Sequence, residues 1–517
     1  MMMYRFLFTC LSCFILTCAS AQKVADPQVY AKSITANDLK KHLTIIAGEE
    51  MEGRDTPSPG LGKAAEYISS QFKKFGVKPG NNGDYRQSYK LLKDSVIDMG
   101  LSINGTAFKP YVDFAPGIPI PEEVSLKFSE FCFVGYGIVD EGINDYGNME
   151  VDGKLVVMLE GAPDAYKPKQ TGRLSPAFLM NKLRVAQEKG AAAVLFVTRT
   201  VQGRYAVRTK YRPLITQKQP LPAMPVFNVS EALSEYVDDG YDIQTIKRAM
   251  EYNQVQIPLT VRADVQLQYK LQRDIAQASN VIGVVEGSDK KDEYVFVTAH
   301  YDHVGKDAKG NIFYGADDDG SGTVSVLEMA EAFALAKKAG KGPRRTMVFM
   351  TVSGEEKGLW GSEYYVDNPI YPLDKTSVDL NIDMIGRIGS DYENDKDSVN
   401  YIYIIGDDKL STDLTPITNK VNNKYTRLKL DRRYNDPNDP ERFYYRSDHF
   451  NFAKNGVPAI FYFNGTHADY HKITDTVDKI NFPLLAHRAQ LVFYTAWDMA
   501  NRDNIVKRDL ELPEMAR

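Results

Sequence analysis

Apolar positions along the chain fall into three regimes, each predicting a different kind of element. Leu61, Ala64, Ala65, Ile68, Phe72 and Phe75 keep helical spacing, so residues 61–75 are predicted as an amphipathic helix stopped at Gly76, a residue free to take the left-handed turn that ends helices. From about Pro121 the pattern shortens to strand-length runs at Phe131–Tyr136, Lys154–Leu159 and Ala191–Val197, with a helical Ala177–Lys189 between the last two. This reads as a small module containing a βαβ unit, and it continues through the Pro/Lys/Gln-rich Tyr211–Pro225 to about Ile257. After Asn280 the alternation of strand and helix is strongest, with strands at Tyr294–Ala299, Thr346–Val352, Val378–Ile385 and Ala459–Phe463. Between them Ser321–Lys338 is helical, with Ser321 as its N-cap and Val324, Leu327, Phe333 and Ala334 on its buried side. Near-continuous apolar runs suit strands covered on both faces. The predicted class is therefore α/β, a mixed, largely parallel central sheet flanked by helices with a small β-rich domain inserted.

Length and composition divide the chain without changing that picture. At 517 residues it exceeds one ordinary domain, and 43% apolar with 25% charged residues is usual for a globular protein. The expected division is a signal peptide at 1–21, the first part of a catalytic domain at 22–120, an inserted domain at 121–257 and the rest of the catalytic domain at 258–517. Arg5, an apolar run and Ala19-Ser20-Ala21 form the signal, which implies a periplasmic or secreted protein. The run is shorter than the ~20 residues a membrane span needs, so no transmembrane segment is expected in the processed chain. Cys10, Cys13 and Cys18 all lie in the signal, leaving Cys132 without an internal disulfide partner. Lipidation at Cys18 is the lesser alternative, because Ile15-Leu16-Thr17 fits a lipoprotein box poorly. Removing Arg5 takes one from 63 basic residues and none from 68 acidic ones, so the charge becomes one unit more negative than −5. Basic residues are interspersed rather than clustered, and no nucleic-acid partner is expected.

The candidate chemistry sits where the apolar runs end. His300 and Asp302 follow a strand, at the carboxyl end where open α/β sheets place ligands. Imidazole suits a metal, and Asp302 could hold the other ring nitrogen as a supporting partner. Gly315-Ala316-Asp317-Asp318-Asp319-Gly320-Ser321-Gly322 lacks the glutamate at position twelve of an EF-hand, so a carboxylate bridging two metals fits better than a calcium loop. Asp317 is the expected bridge, with Asp318 and Asp319 in helix-dipole or supporting roles. Glu355-Glu356 follows a strand and a Ser-Gly turn, so one carboxylate can ligate while its neighbour handles a proton. Asp383 interrupts the apolar run 380–385 and needs a cation or several donors. Tyr470-His471 adds an imidazole and a phenol able to donate to an oxyanion. His449 and His467 rival His471 as ligands, whereas His42, His303 and His487 are read as structural or surface residues.

Together with Ser353–Ser362, Asn381-Ile382-Asp383-Met384, Arg446-Ser447-Asp448-His449 and Asp469-Tyr470-His471, these motifs resemble the co-catalytic zinc peptidases of the aminopeptidase Y and glutamate carboxypeptidase family over residues 280–490. Residues 121–257 resemble, less closely, the protease-associated domain that some members carry. The resemblance implies two Zn²⁺ per chain, with Co²⁺ or Mn²⁺ as substitutes. His300 and Asp383 would complete one site, Glu356 and His471 the other, and Asp317 would bridge them. It further implies Glu355 as the general base on a metal-activated water, Tyr470 at the oxyanion, and the main chain near Arg446 beside the substrate amine. The expected function is an exported aminopeptidase acting on peptides. The alternatives are a carboxypeptidase or dipeptidase on the same framework, a glutaminyl cyclase, and a non-catalytic binding protein.

Overall fold

The computed structural model describes residues 25–117, 122–202, 210–213, 224–231, 248 and 258–512; the predicted signal and its three cysteines lie outside them. The described chain forms two compact units, one of residues up to Gln87 together with Ser279 onwards, the other Ser88–Ala278. The boundaries expected at 121 and 257 fall inside the second unit. The reason is a shared core: Leu101, Ile103 and Phe114 before the expected start, and Val265, Leu267 and Tyr269 after the expected end, pack with Phe131, Leu155 and Leu195. The alternating burial of Leu259–Leu271 reflects a strand whose one face completes that core.

In the second unit the predicted βαβ is present as strand Leu155–Leu159, helix Leu179–Glu188 and strand Ala193–Val197, the two strands being parallel. Val226–Val229 extends this parallel set, and Glu123–Phe133 flanks its other side. Residues 259–270 pair antiparallel with that last strand.

The first unit holds helix α1 (Ala36–Ile46), helix α2 (Pro59–Phe75), strand β1 (Lys290–His300), helix α3 (Gly322–Lys338), strand β2 (Arg345–Val352), strand β3 (Thr376–Ile382), strand β4 (Tyr401–Ile405), strand β5 (Lys429–Asp431), strand β6 (Ala459–Phe463) and helix α4 (Phe482–Asn501). Strands β2, β1, β3 and β6 lie side by side and parallel. On one flank β4 runs antiparallel to β6, with β5 parallel to β4 beyond it; on the other, Val281–Val285 runs antiparallel to β2. Every residue of β2, β3, β4 and β6 is buried, which is why β4 and β6 are apolar or aromatic throughout, while β3 alternates Asp379 and Asn381 with Val378, Leu380 and Ile382 although both of its faces are covered. Helix α2 begins at Ser58, whose hydroxyl accepts from Leu61 N, and ends at Gly76 in the left-handed conformation, as its spacing predicts. Ser321 occupies the N-cap position of α3 as expected, but its side chain does not cap the helix: its hydroxyl donates to the Asp317 carbonyl and accepts from Ile385 N, tying the turn before α3 to the segment after β3.

Candidate metal centre

The parallel strands deliver their carboxyl ends to one place. His300 is the last residue of β1, Asp383 follows β3, and Glu355-Glu356 lie beyond β2 after Ser353-Gly354. The Gly315–Ser321 turn before α3 supplies a further carboxylate, and the Asp469–Asp475 segment supplies His471.

Two ligand sets form around Asp318. His300, Asp318 and Asp383 present one donor atom each within 4.8 Å of one another, as do His303, Asp318 and Glu356. His300 Nε2 is 3.4 Å from Asp318 Oδ1 and 3.6 Å from Asp383 Oδ1. His471 Nε2 lies 3.0 Å from both Asp318 Oδ2 and Glu356 Oε2. Four of the five expected ligands, His300, Glu356, Asp383 and His471, are thus brought together. The fifth is not. Asp317 turns away, its Oδ1 accepting from Gly386 N at 2.6 Å and its Oδ2 lying 3.1 Å from His467 Nε2. Asp318 takes the shared position because Asp475 accepts the backbone N–H groups of both Asp317 and Asp318, fixing which side chain of the run faces inward. Asp319 is also structural, accepting from His300 N, Gly322 N and Met384 N.

Two other expectations need correction. His303 is neither surface nor merely structural in placement: it is fully buried, with Nδ1 2.9 Å from Glu356 Oε1 and 3.7 Å from Asp318 Oδ2. Gly315, at φ +57°, makes room for it, since a β-carbon there would lie 2.5 Å from the His303 ring. Asp302 does not hold His300 chiefly through its carboxylate. Its backbone carbonyl is 3.1 Å from His300 Nδ1, against 3.8 Å for Oδ1, and the carboxylate instead accepts from Glu355 N and Thr56 Oγ1. The rivals for the ligand role are placed elsewhere: His467 on Asp317, and His449 stacked on Phe461, where burial pushes its imidazole down to about 3.

The electrostatics follow from concentrating carboxylates in a dry site. Burial drives the Glu355 carboxyl well above its usual range, with Asp383, Glu356 and Asp448 adding to the rise against His300. For Asp318 burial acts upward too, but the imidazoles of His300, His303 and His471 win and hold it well below the usual range. His471 moves the other way from burial, up to about 10, because Asp318 and Glu356 face it. Glu355 Oε2 stands 3.9 Å from His300 Nε2, beside the His300–Asp318–Asp383 set. The Tyr470 ring stacks on His471 at 3.9 Å between centroids. Arg446 is exposed, its guanidinium over the Phe443 ring and 3.7 Å from Glu441. Ser447, in the same turn, donates to Asp383 Oδ2 at 2.8 Å and orients that carboxylate.

Donor chemistry and geometry fit divalent cations. Both ring nitrogens of His303, Asp318 Oδ2 and Glu356 Oε1 are buried without a hydrogen bond, although His303 Nδ1 and Glu356 Oε1 are within contact distance. Buried polar atoms that crowd together unaligned leave a desolvation cost that a shared cation removes.

Comparison with known proteins agrees with the motifs. Residues 280–496 match the model of Peptidase family M28. A probable leucine aminopeptidase of Trichophyton verrucosum is 27% identical over 310 residues, covering 58% of this chain and 78% of that protein. A probable glutamate carboxypeptidase of Arabidopsis thaliana is 36% identical over 110 residues, covering 21% of this chain and 15% of that protein. Among solved structures, an aminopeptidase from Aneurinibacillus sp. strain AM-1 superposes with a TM-score of 0.47 at 18% identity, covering 94% of this chain and 99% of that one. Residues 280–496 of this chain thus carry a Peptidase family M28 domain.

Proposed function

We propose that the chain is an exported zinc aminopeptidase that removes N-terminal residues from peptides and uses two ions per chain. The observation that carries this reading is the pair of ligand sets meeting on Asp318. His300, Asp318 and Asp383 would hold one ion, and Asp318, Glu356 and His471 the other, with His303 within reach of the second. When bound, such ions polarise a carbonyl and acidify a water.

The chain's own residues supply the rest. Glu355 is outside both ligand sets and beside the first, so its carboxylate takes a proton from the attacking water and returns it to the departing amine nitrogen. Tyr470, held against His471, donates its phenol O–H to the oxygen that gains charge. The carboxylates around the site favour an ammonium group nearby, which suits a substrate with a free N-terminus. The main chain at Arg446 is the proposed partner of that amine. Arg5 and the apolar run to Ala21 support export, and the inserted unit is assigned to substrate access, as a protease-associated domain.

The test is a mass-spectrometric time course on one peptide in free, N-acetylated and C-amidated forms. Stepwise loss of N-terminal residues from the free and amidated peptides, with the acetylated one resistant, is the expected result. Cleavage abolished by amidation and indifferent to acetylation would establish a carboxypeptidase instead.

A further inference from the structure

Arg54 belongs to no ligand set, yet its side chain is completely buried and meets both loops that build the centre. Its Nε donates to the Tyr301 carbonyl at 2.7 Å, between His300 and Asp302. One terminal nitrogen donates to the Tyr314 and Ile46 carbonyls, each at 2.8 Å, and the other to the Gly315 carbonyl at 2.9 Å. Thus one planar fork joins the turn after β1, the loop leading to Asp318 and the C-terminal end of α1. The backbone repeats the linkage, since Arg54 O accepts from His303 N and Gly53 O from Gly305 N. Glu52, Gly53 and Arg54 all have positive φ, at +52°, +70° and +53°. A β-carbon on Gly53 would meet the Gly305 and Phe313 carbonyls at 2.4 and 2.5 Å, so this unusual backbone is packed directly onto the loops it serves.

The bonding partners are all carbonyls, so no carboxylate directly neutralises the guanidinium. Burial works to lower its pKa, and the carboxylates of Asp302, Asp318, Asp475 and Asp319 oppose that from a distance. A fixed cation among these acids also offsets their mutual repulsion. Lysine could not replace it, because a point charge on a flexible stem cannot satisfy carbonyls spread around a planar fork.

We propose that Arg54 is a positioning residue for the metal centre, setting the His300–His303 turn against the Asp318 loop before any ion binds. This rests on the two-ion reading above. In the purified full chain, Arg54→Lys should weaken zinc affinity roughly 10–100-fold, the scale for residues that orient ligands, measured by competition with a chromogenic chelator. At limiting zinc kcat should fall while KM stays put, and saturating zinc should restore most of kcat. Arg345→Lys is the control. Arg345 is equally buried, but it is bonded to Glu293 and to the Met499, Arg502 and Asp503 carbonyls at the opposite end of β2. Its variant should lower the melting temperature without changing zinc affinity.

Wild-type affinity in a folded Arg54→Lys chain, or an equal loss in both variants, would overturn the proposal. Should the Arg54 variant not fold, hydrogen exchange in the metal-free wild type decides. The His303 and Ala316 amides stay protected if Arg54 has already set the loops, and lose protection on chelation if the ions do that work. Failure of the wild-type chain itself to take up zinc would refute the two-ion reading, and this proposal with it.

Discussion

Glu355 and Glu356 are adjacent in sequence and carry the same group, but they face different neighbours. Glu356 is within 3.0 Å of both His303 and His471, whereas the nearest imidazole nitrogen to Glu355 is at 3.9 Å. Glu355→Gln is therefore expected to retain zinc and fold while kcat drops at least ~10²-fold, the scale of general acid–base catalysis. Glu356→Gln should lose zinc, and elemental analysis beside steady-state rates separates the two. The sequence marks this pair, because carboxylates after an apolar run stand out against their surroundings. It cannot rank Asp317, Asp318 and Asp319 in the same way: the three have one chemistry, and the choice is made by the Asp475 carboxylate and the Gly386 and His300 backbone N–H groups, none of them adjacent in the chain. His303 is missed because a histidine three positions beyond another reads as a loop residue until Gly315 is seen to accommodate its ring. Arg54 leaves no trace at all in side-chain patterns, since its acceptors are main-chain carbonyls.

At the level of elements, helical spacing located α2 because only one of its faces is buried, and long apolar runs located α3 and the parallel strands, where burial is nearly continuous. Where a strand is half-exposed and long, as in Arg86–Ile103, the apolar period weakens and no strand is predicted. That strand carries Asp94, fully buried, with Oδ2 2.7 Å from Arg212 and Oδ1 2.7 Å from Arg273. Burial tends to raise the Asp94 pKa, but the bonds from Arg273 and Arg212 prevail and lower it. A carboxylate lowered on folding stabilises above its unfolded pKa, about 3.9, and that contribution disappears as the pH falls through the folded value. The unfolding free-energy difference between wild type and Asp94→Asn should accordingly be largest near neutrality and shrink below about pH 4. Urea melts across that range check it; a difference independent of pH would mean that the ion pairs contribute nothing.

For the whole molecule, the candidate ligands all lie in one of the two units. Every histidine lies in the first unit, and the Ser88–Ala278 unit has none. The ends left by excising that unit are adjacent, for Asn280 Nδ2 donates to Gln87 Oε1 at 3.0 Å. A variant with a short linker in place of 88–278, shown to be folded, should keep its zinc and change KM or the size range of peptides accepted. Loss of zinc in such a variant would contradict the assignment of the insertion to access. The most direct test of the two-ion centre is the zinc content of the full chain beside that of Asp318→Asn. The expected result is two zinc ions per wild-type chain, activity lost to a chelator and regained with zinc, and a folded Asp318→Asn chain that holds neither ion tightly. A fully active wild-type chain with a single ion, or an Asp318→Asn chain that still binds two, would contradict it.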